Sequence, residues 1–217
     1  MKIYPSLMAA DLLNLELAIH ELEAHCDGFH IDLMDNHFVP NLTMGPDFVN
    51  AISKITHKPV WVHFLTEKPE SLANMMNCCF GIQGSVHIEL NLNFKELRKK
   101  ISESKMNIGV ALNPKTPIEK AFPIIEQGIN HILLMSVEPG FSGQGFLPES
   151  IEKLKQLNNF RKTSGLNFKI ALDGGINETN ILKLAQNGCD EVGIGSGIFS
   201  QSDPVLALKK LYAIIGK

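Results

Sequence analysis

Eight short apolar runs recur along the chain, each separated from the next by a stretch long enough for a helix, and this alternation restricts the fold more than any other feature. The runs are Lys2–Leu7, Gly28–Leu33, Pro59–Phe64, Ser85–Leu90, Asn107–Leu112, His131–Ser136, Phe168–Leu172 and Glu191–Gly195. Several, such as His131-Ile-Leu-Leu-Met-Ser136, are apolar at consecutive positions. A strand wet on one face alternates apolar with polar residues; a strand covered on both faces does not, so these runs read as strands of a parallel sheet. The segments between them carry helix signals. Asp11 precedes Leu12-Leu13-Asn14-Leu15-Glu16-Leu17-Ala18-Ile19 as an N-cap. Pro117 and Pro148 are placed to open helices, where a missing N–H costs nothing. Asn177-Glu-Thr-Asn180 leads into Ile181-Leu-Lys-Leu-Ala185, with Gly188 following as a C-cap. Strand–helix units repeated about eight times predict an α/β fold, a (β/α)8 TIM barrel of parallel strands. The barrel is expected to occupy residues 1–217 as a single domain. An open doubly wound sheet is the alternative, but no Gly-x-Gly-x-x-Gly follows the first run.

Composition narrows the class of partner. The 217 residues carry a formal net charge of −3, with 44% hydrophobic and 20% charged residues. Nucleic acid and anionic membrane select clustered Lys and Arg, so neither is expected as a partner. No apolar run is long enough to span a bilayer, and Met1-Lys-Ile-Tyr-Pro-Ser6 lacks the pattern of a secretory leader. The four cysteines, Cys26, Cys78, Cys79 and Cys189, form no CxxC pair. Reduced thiols in a cytoplasmic protein are the expectation.

In such a barrel the chemistry gathers at the C-terminal ends of the strands. Polar residues gather there in this chain: Ser6 on the first strand, His30 and Asp32 on the second, His63 on the third, His87 and Glu89 on the fourth. Asn113, Ser136 and Asp173 follow on the fifth, sixth and seventh. Side chains two apart on a strand share a face, so His30 and Asp32 point into the mouth together. With His63 and Asp173 they could complete a set of two imidazoles and two carboxylates, suited to Zn, Fe(II), Mn or Co rather than Mg or Ca. The plainer reading of a lone His-x-Asp is a core histidine bonded to its neighbour; four such groups at matching strand ends favour one divalent metal ion per subunit. Glycine-rich segments mark a second region: Pro139-Gly140-Phe141-Ser142-Gly143-Gln144-Gly145, Asp173-Gly174-Gly175 and Gly193-Ile194-Gly195-Ser196-Gly197. Glycines let backbone N–H groups approach an anion, and loops after strands seven and eight commonly hold phosphate in this fold. Tight barrel turns also need glycine.

Tyr4-Pro-Ser-Leu-Met8, His30-Ile-Asp-Leu-Met-Asp-Asn-His-Phe-Val-Pro-Asn-Leu-Thr-Met-Gly-Pro46, Leu134-Met-Ser-Val-Glu-Pro-Gly-Phe141 and Asp173-Gly-Gly175 closely resemble the ribulose-phosphate 3-epimerase family. The resemblance runs from Ile3 to about Phe199. It implies interconversion of D-ribulose 5-phosphate and D-xylulose 5-phosphate in the pentose phosphate pathway. It implies His30, Asp32, His63 and Asp173 as metal ligands and Asp32 and Asp173 as the acid/base pair. It also implies Ser6, His63, Met34, Met135, Gly140, Phe141, Ser142, Gly143, Gly174, Gly175, Gly195 and Ser196 as contacts to a phosphorylated ketose. Inverting a carbon beside a carbonyl means removing its proton from one face and returning one to the other. Two carboxyl groups flanking a planar enediolate do this, and they exchange roles with reaction direction. A metal would offset the charge that develops. Met34, Met44 and Met135 could set polarizable sulfur beside the enediolate, or simply fill core.

The third-strand motif departs from the family's usual Asp-Val-His-Leu-Met. Here it reads Trp61-Val-His-Phe-Leu65. Leu65 replaces a methionine, and Trp61 replaces a residue able to accept a hydrogen bond behind a ligand. Ser142 stands where glycine is usual. The rival on the same chemistry is D-allulose-6-phosphate 3-epimerase, which needs a roomier mouth. A phosphosugar lyase or decarboxylase would use an Asp-x-Lys-x-x-Asp array, which is absent. A barrel that binds phosphosugar without catalysis would not retain all four candidate ligands. His20, His25 and His57 are expected on the surface, and apolar helix faces suggest a homo-oligomer.

Overall fold

The computed structural model describes residues 1–76, 81–101 and 106–217. Eight strands carry the fold: β1 (Lys2–Pro5), β2 (Phe29–Met34), β3 (Val60–Leu65), β4 (Gln83–His87), β5 (Asn107–Leu112), β6 (His131–Met135), β7 (Lys169–Asp173) and β8 (Glu191–Ile194). They follow the order β1-β8-β7-β6-β5-β4-β3-β2, every pair parallel. A single parallel bridge, Ser6 to His30, joins β1 to β2 and brings the sheet round on itself. This is the (β/α)8 barrel that the alternation of runs predicts. Cys78 and Cys79 lie outside the described residues.

Helices α1 (Leu15–Glu23), α2 (Pro46–Ile55), α3 (Pro69–Ala73), α4 (Phe94–Lys100), α5 (Phe122–Glu126), α6 (Ser150–Ser164), α7 (Ile181–Gln186), α8 (Ser196–Phe199) and α9 (Pro204–Ile214) alternate with the strands. The first starts later than its sequence suggests. Asp11 does not cap it: its carboxylate accepts from Leu13 N–H and Asn14 Nδ2, which holds a turn, and Asn14 is the N-cap. Gly188 stands one residue beyond the α7 C-cap, Asn187, with φ +92°, a conformation that costs glycine little. The fourth strand also differs. It begins at Gln83 and ends at His87, and residues Ile88–Leu90 form a 3-10 turn, so Glu89 is not a strand residue.

The period of two divides each strand between two cores. Phe29, Ile31 and Leu33 of β2 face outward into the layer shared with the helices. Tyr4, Trp61, Ala111, Leu133, Met135 and Ala171 face inward and plug the barrel. Burying each large apolar side chain contributes roughly 1.5–3 kcal/mol against the entropy of ordering the chain. At the lower end of the barrel, Glu191 accepts from Lys169 Nζ at 2.6 Å and lies 3.1 Å from His131 Nε2, which compensates a carboxylate only 3% exposed. Among the described residues, no helix is long and apolar enough to cross a membrane.

Candidate active site

Inward positions on β2 and β3 are in register, so Asp32 pairs with His63 as Ser6 pairs with His30. That places four polar side chains in one layer near the C-terminal end of the barrel. Ser6 Oγ donates to Asp32 Oδ2 at 3.1 Å, and His30 Nδ1 lies 3.1 Å from the same Oγ. His63 Nδ1 is 3.1 Å from Asp32 Oδ1 and 3.8 Å from Asp173 Oδ2. Asp173 reaches across from β7 because its pairing partner on β8 is Gly193. A Cβ there would lie 2.7 Å from Asp173 Oδ1 and 3.4 Å from the His30 ring. Gly193 therefore belongs to the strand and makes room for the cluster, rather than to the glycine-rich loop that follows.

His30, Asp32, His63 and Asp173 each offer a ligand atom, all within 4.8 Å of one another, and can hold a metal ion. The fit is chemical as well as spatial. His30 Nε2 is buried with no hydrogen-bond partner, a costly state for an imidazole nitrogen that a metal would relieve. Two imidazoles with two carboxylates suit a borderline transition ion.

The electrostatics separate the two carboxyl groups. Burial opposes ionisation of Asp32, but the charge and hydrogen bonds of His30 and His63 outweigh it and hold the group well below the usual carboxylate range. Burial, aided by the like charge of Asp32 and opposed by His30, pushes Asp173 up to about 7. His30 is depressed by burial but raised more by Asp32 and Asp173, reaching about 9. His63, buried and facing other imidazoles, is lowered to about 4 despite Asp32. The two carboxyl groups are thus pushed in opposite directions from the usual carboxylate range.

Above this layer opens a cavity lined by Asp32 and Asp173 together with Ser6, Met34, Met135, Gly140, Phe141, Ser142, Gly143, Gly174, Gly175, Gly195 and Ser196. Every expected contact residue except His63 is on its wall. His63, like His30, is fully buried. Of the two places open to Met44, it takes the core: it packs partly buried against the outer core, while Met8 lines the cavity. Val137, Pro139 and Gln144 also line it, within segments singled out in the sequence, as do Ala9 and Ile176, which the sequence does not mark but which lie within three residues of Ser6 and Gly175. Gly175 has a packing reason to be glycine. At φ +65°, a Cβ would lie 2.5 Å from Phe146 N, where the loops after β6 and β7 press together. Asn41 Nδ2 donates to Gly140 O at 2.6 Å and ties the loop after β2 to the loop after β6.

Trp61 is a filler, not a polar support. Its indole is 1% exposed, meets the His30 ring edge-on at 4.6 Å, and donates from Nε1 to Ser85 Oγ at 2.8 Å. The orienting partner of His30 is Ser6. Leu65 joins Met34 and Val39 in a small apolar cluster beside the mouth. His20 and His57 are exposed and His25 half-buried, as surface residues should be.

A barrel with two buried carboxyls in a metal-competent His/Asp cluster at the C-terminal ends of its strands defines the class: a (β/α)8 barrel with a candidate active site in its mouth. Residues 2–199 match the ribulose-phosphate 3 epimerase family, and the chain belongs to it. It is 34% identical to ribulose-phosphate 3-epimerase of Helicobacter pylori, over 97% of this chain and 96% of that one. It is 36% identical to the enzyme of the same name from Methanocaldococcus jannaschii, over 97% and 89%. The fold also matches 3-hexulose-6-phosphate synthase with a TM-score of 0.68 at 17% identity, covering 100% of both chains. It matches KGPDC from Streptococcus mutans in complex with D-R5P with a TM-score of 0.72 at 16% identity, covering 99% and 96%.

Proposed function

We propose that this epimerase interconverts D-ribulose 5-phosphate and D-xylulose 5-phosphate at C3, using Asp32 and Asp173 as its two proton carriers. The observation that carries the reading is the placement of those two carboxyls, one on β2 and one on β7, both on the wall of one cavity and both within 4.8 Å of the His30 and His63 ligand atoms. One ionised group removes the C3 proton and the other, protonated, returns one to the opposite face. Run in reverse, the same pair exchanges roles. His30, Asp32, His63 and Asp173 would hold a divalent ion, whose contribution is to offset negative charge on adjacent substrate oxygens. Ser6 orients Asp32, Met34 and Met135 bound the sugar, and residues 140–143 close over it. The N–H groups at Gly174, Gly175, Gly195 and Ser196 would receive the phosphate.

Single Asp32→Asn and Asp173→Asn substitutions are expected to lower turnover at least 100-fold while leaving the fold intact. Exchange of the C3 proton with deuterated solvent tests the same chemistry, and an Asp173→Asn protein that still exchanges would remove that residue from the pair. Activity that survives exhaustive chelation would sink the metal; readdition of Zn, Fe(II), Mn and Co in turn identifies it. A large preference for D-allulose 6-phosphate over the five-carbon substrate would reassign the sugar. We further read the chain as a cytoplasmic, single-domain homo-oligomer of the pentose phosphate pathway. Its unpaired buried Cys26 and Cys189 support a reducing compartment, and exposed Leu12, Leu13 and Leu17 support self-association.

A further inference from the structure

Beside the cluster, a line of polar groups runs from His63 along the C-terminal ends of β4 and β5, outside the cavity wall. His63 Nε2 lies 2.8 Å from His87 Nε2, with the ring planes 28° apart. His87 Nδ1 lies 3.0 Å from Glu89 Oε2. The other oxygen, Glu89 Oε1, accepts from Asn113 N–H at 2.9 Å and from Thr116 Oγ1. Both imidazoles are fully buried. The 3-10 turn at residues 88–90 brings the Glu89 carboxylate back against the ring of His87, and Phe38 covers that ring at 4.5 Å.

With both imidazoles uncharged, hydrogen-bond chemistry fixes the order of the protons along this line. A carboxylate only accepts, so the nitrogen of His87 that faces it, Nδ1, carries a hydrogen. Neutral His87 then has a bare Nε2. Two nitrogens 2.8 Å apart need one hydrogen between them, and it must come from His63 Nε2. That leaves His63 Nδ1 with a free lone pair, facing Asp32 and Asp173. A ligand to a divalent ion must present such a lone pair.

We propose that Glu89 and His87 are positioning residues that hold His63 in the one tautomer and orientation able to ligate a divalent ion through Nδ1. The proposal rests on the metal reading above. Neither residue lines the cavity, so each acts through His63 and not on substrate. Glutamate is required at 89 because three donors converge on it. Glutamine has one acceptor oxygen. With that oxygen turned to Asn113 and Thr116, its amide would donate to His87 Nδ1, reverse the line, and place the hydrogen of His63 on Nδ1.

The test has two arms. In zinc-loaded wild-type protein, imidazole 15N shifts should show His87 protonated at Nδ1 and His63 protonated at Nε2, with His63 Nδ1 bound to zinc. In Glu89→Gln, zinc affinity by competition with a chromophoric chelator should fall about 10- to 100-fold, the usual effect of losing a partner behind a metal ligand. The first arm needs no variant, so it stands even if Glu89→Gln folds poorly. Zinc bound through His63 Nε2, or equal affinity in a folded Glu89→Gln, would overturn the positioning role alone. Wild-type protein that binds no divalent ion would overturn the metal reading and this proposal with it.

Discussion

Gly193 contributes through the side chain it lacks. Its replacement by alanine sets a methyl group 2.7 Å from Asp173 Oδ1, so either the carboxylate or β8 must move. Over-packing of this kind costs about 1–3 kcal/mol. Because the displaced atom is a candidate ligand, Gly193→Ala should lose zinc affinity out of proportion to its fall in melting temperature. A joint zinc titration and thermal melt separates the two. The sequence made the neighbours of Gly193 legible and not its own role. His30 and Asp32 were readable from a spacing of two, and Asp173 from its place at the end of an apolar run. Gly193 sat among five residues containing three glycines, and nothing local distinguishes a glycine that clears space for a distant strand from one that turns a loop. Met44 stayed open between core and cavity for the related reason that methionine packs in either. Trp61 was legible as a departure from the family, but that its ring backs His30 depends on the third dimension.

At the scale of elements, seven strands could be placed within a residue or two because their apolar residues cluster between helix-length segments. The fourth was displaced because Ile88-Glu-Leu90 looks like strand in one dimension, while Asn91, in a left-handed conformation with φ +53°, ends a tight turn. Helix α1 was displaced because Asp11 satisfies a local turn instead of capping. The lower end of the barrel offers a test that involves three strands. Burial raises Glu191, but hydrogen bonds from His131 and Lys169 outweigh it and lower the group to about 2. A carboxylate more acidic when folded stabilises fully above its unfolded value near 4.5, and that contribution is lost as pH falls toward 2. Its ceiling is about 3 kcal/mol. Wild type should therefore exceed Glu191→Gln in denaturant stability at pH 7, and the gap should narrow at pH 3. A gap independent of pH would mean that His131 and Lys169 do not discriminate the ionised form.

For the whole molecule, the expected ion is a stabiliser as well as a reagent. Four ligands drawn from β2, β3 and β7 come together only in the folded barrel, so an ion that binds there favours folding by mass action. Zinc at 100 times its dissociation constant should add about 2.7 kcal/mol, read as a rise in melting temperature that Asp32→Asn abolishes. The same long reach bears on how the protein is made. The first strand pairs with the last, Lys2 beside Glu191 and Pro5 beside Ile194, and Ser6 N–H bonds Ile194 O. Only then does Ser6 come to rest between β8 and His30. A chain emerging from the ribosome with residues beyond 190 still in the tunnel lacks the β8 partner of its opening strand. Closure of the barrel is thereby deferred until its last strand has been made.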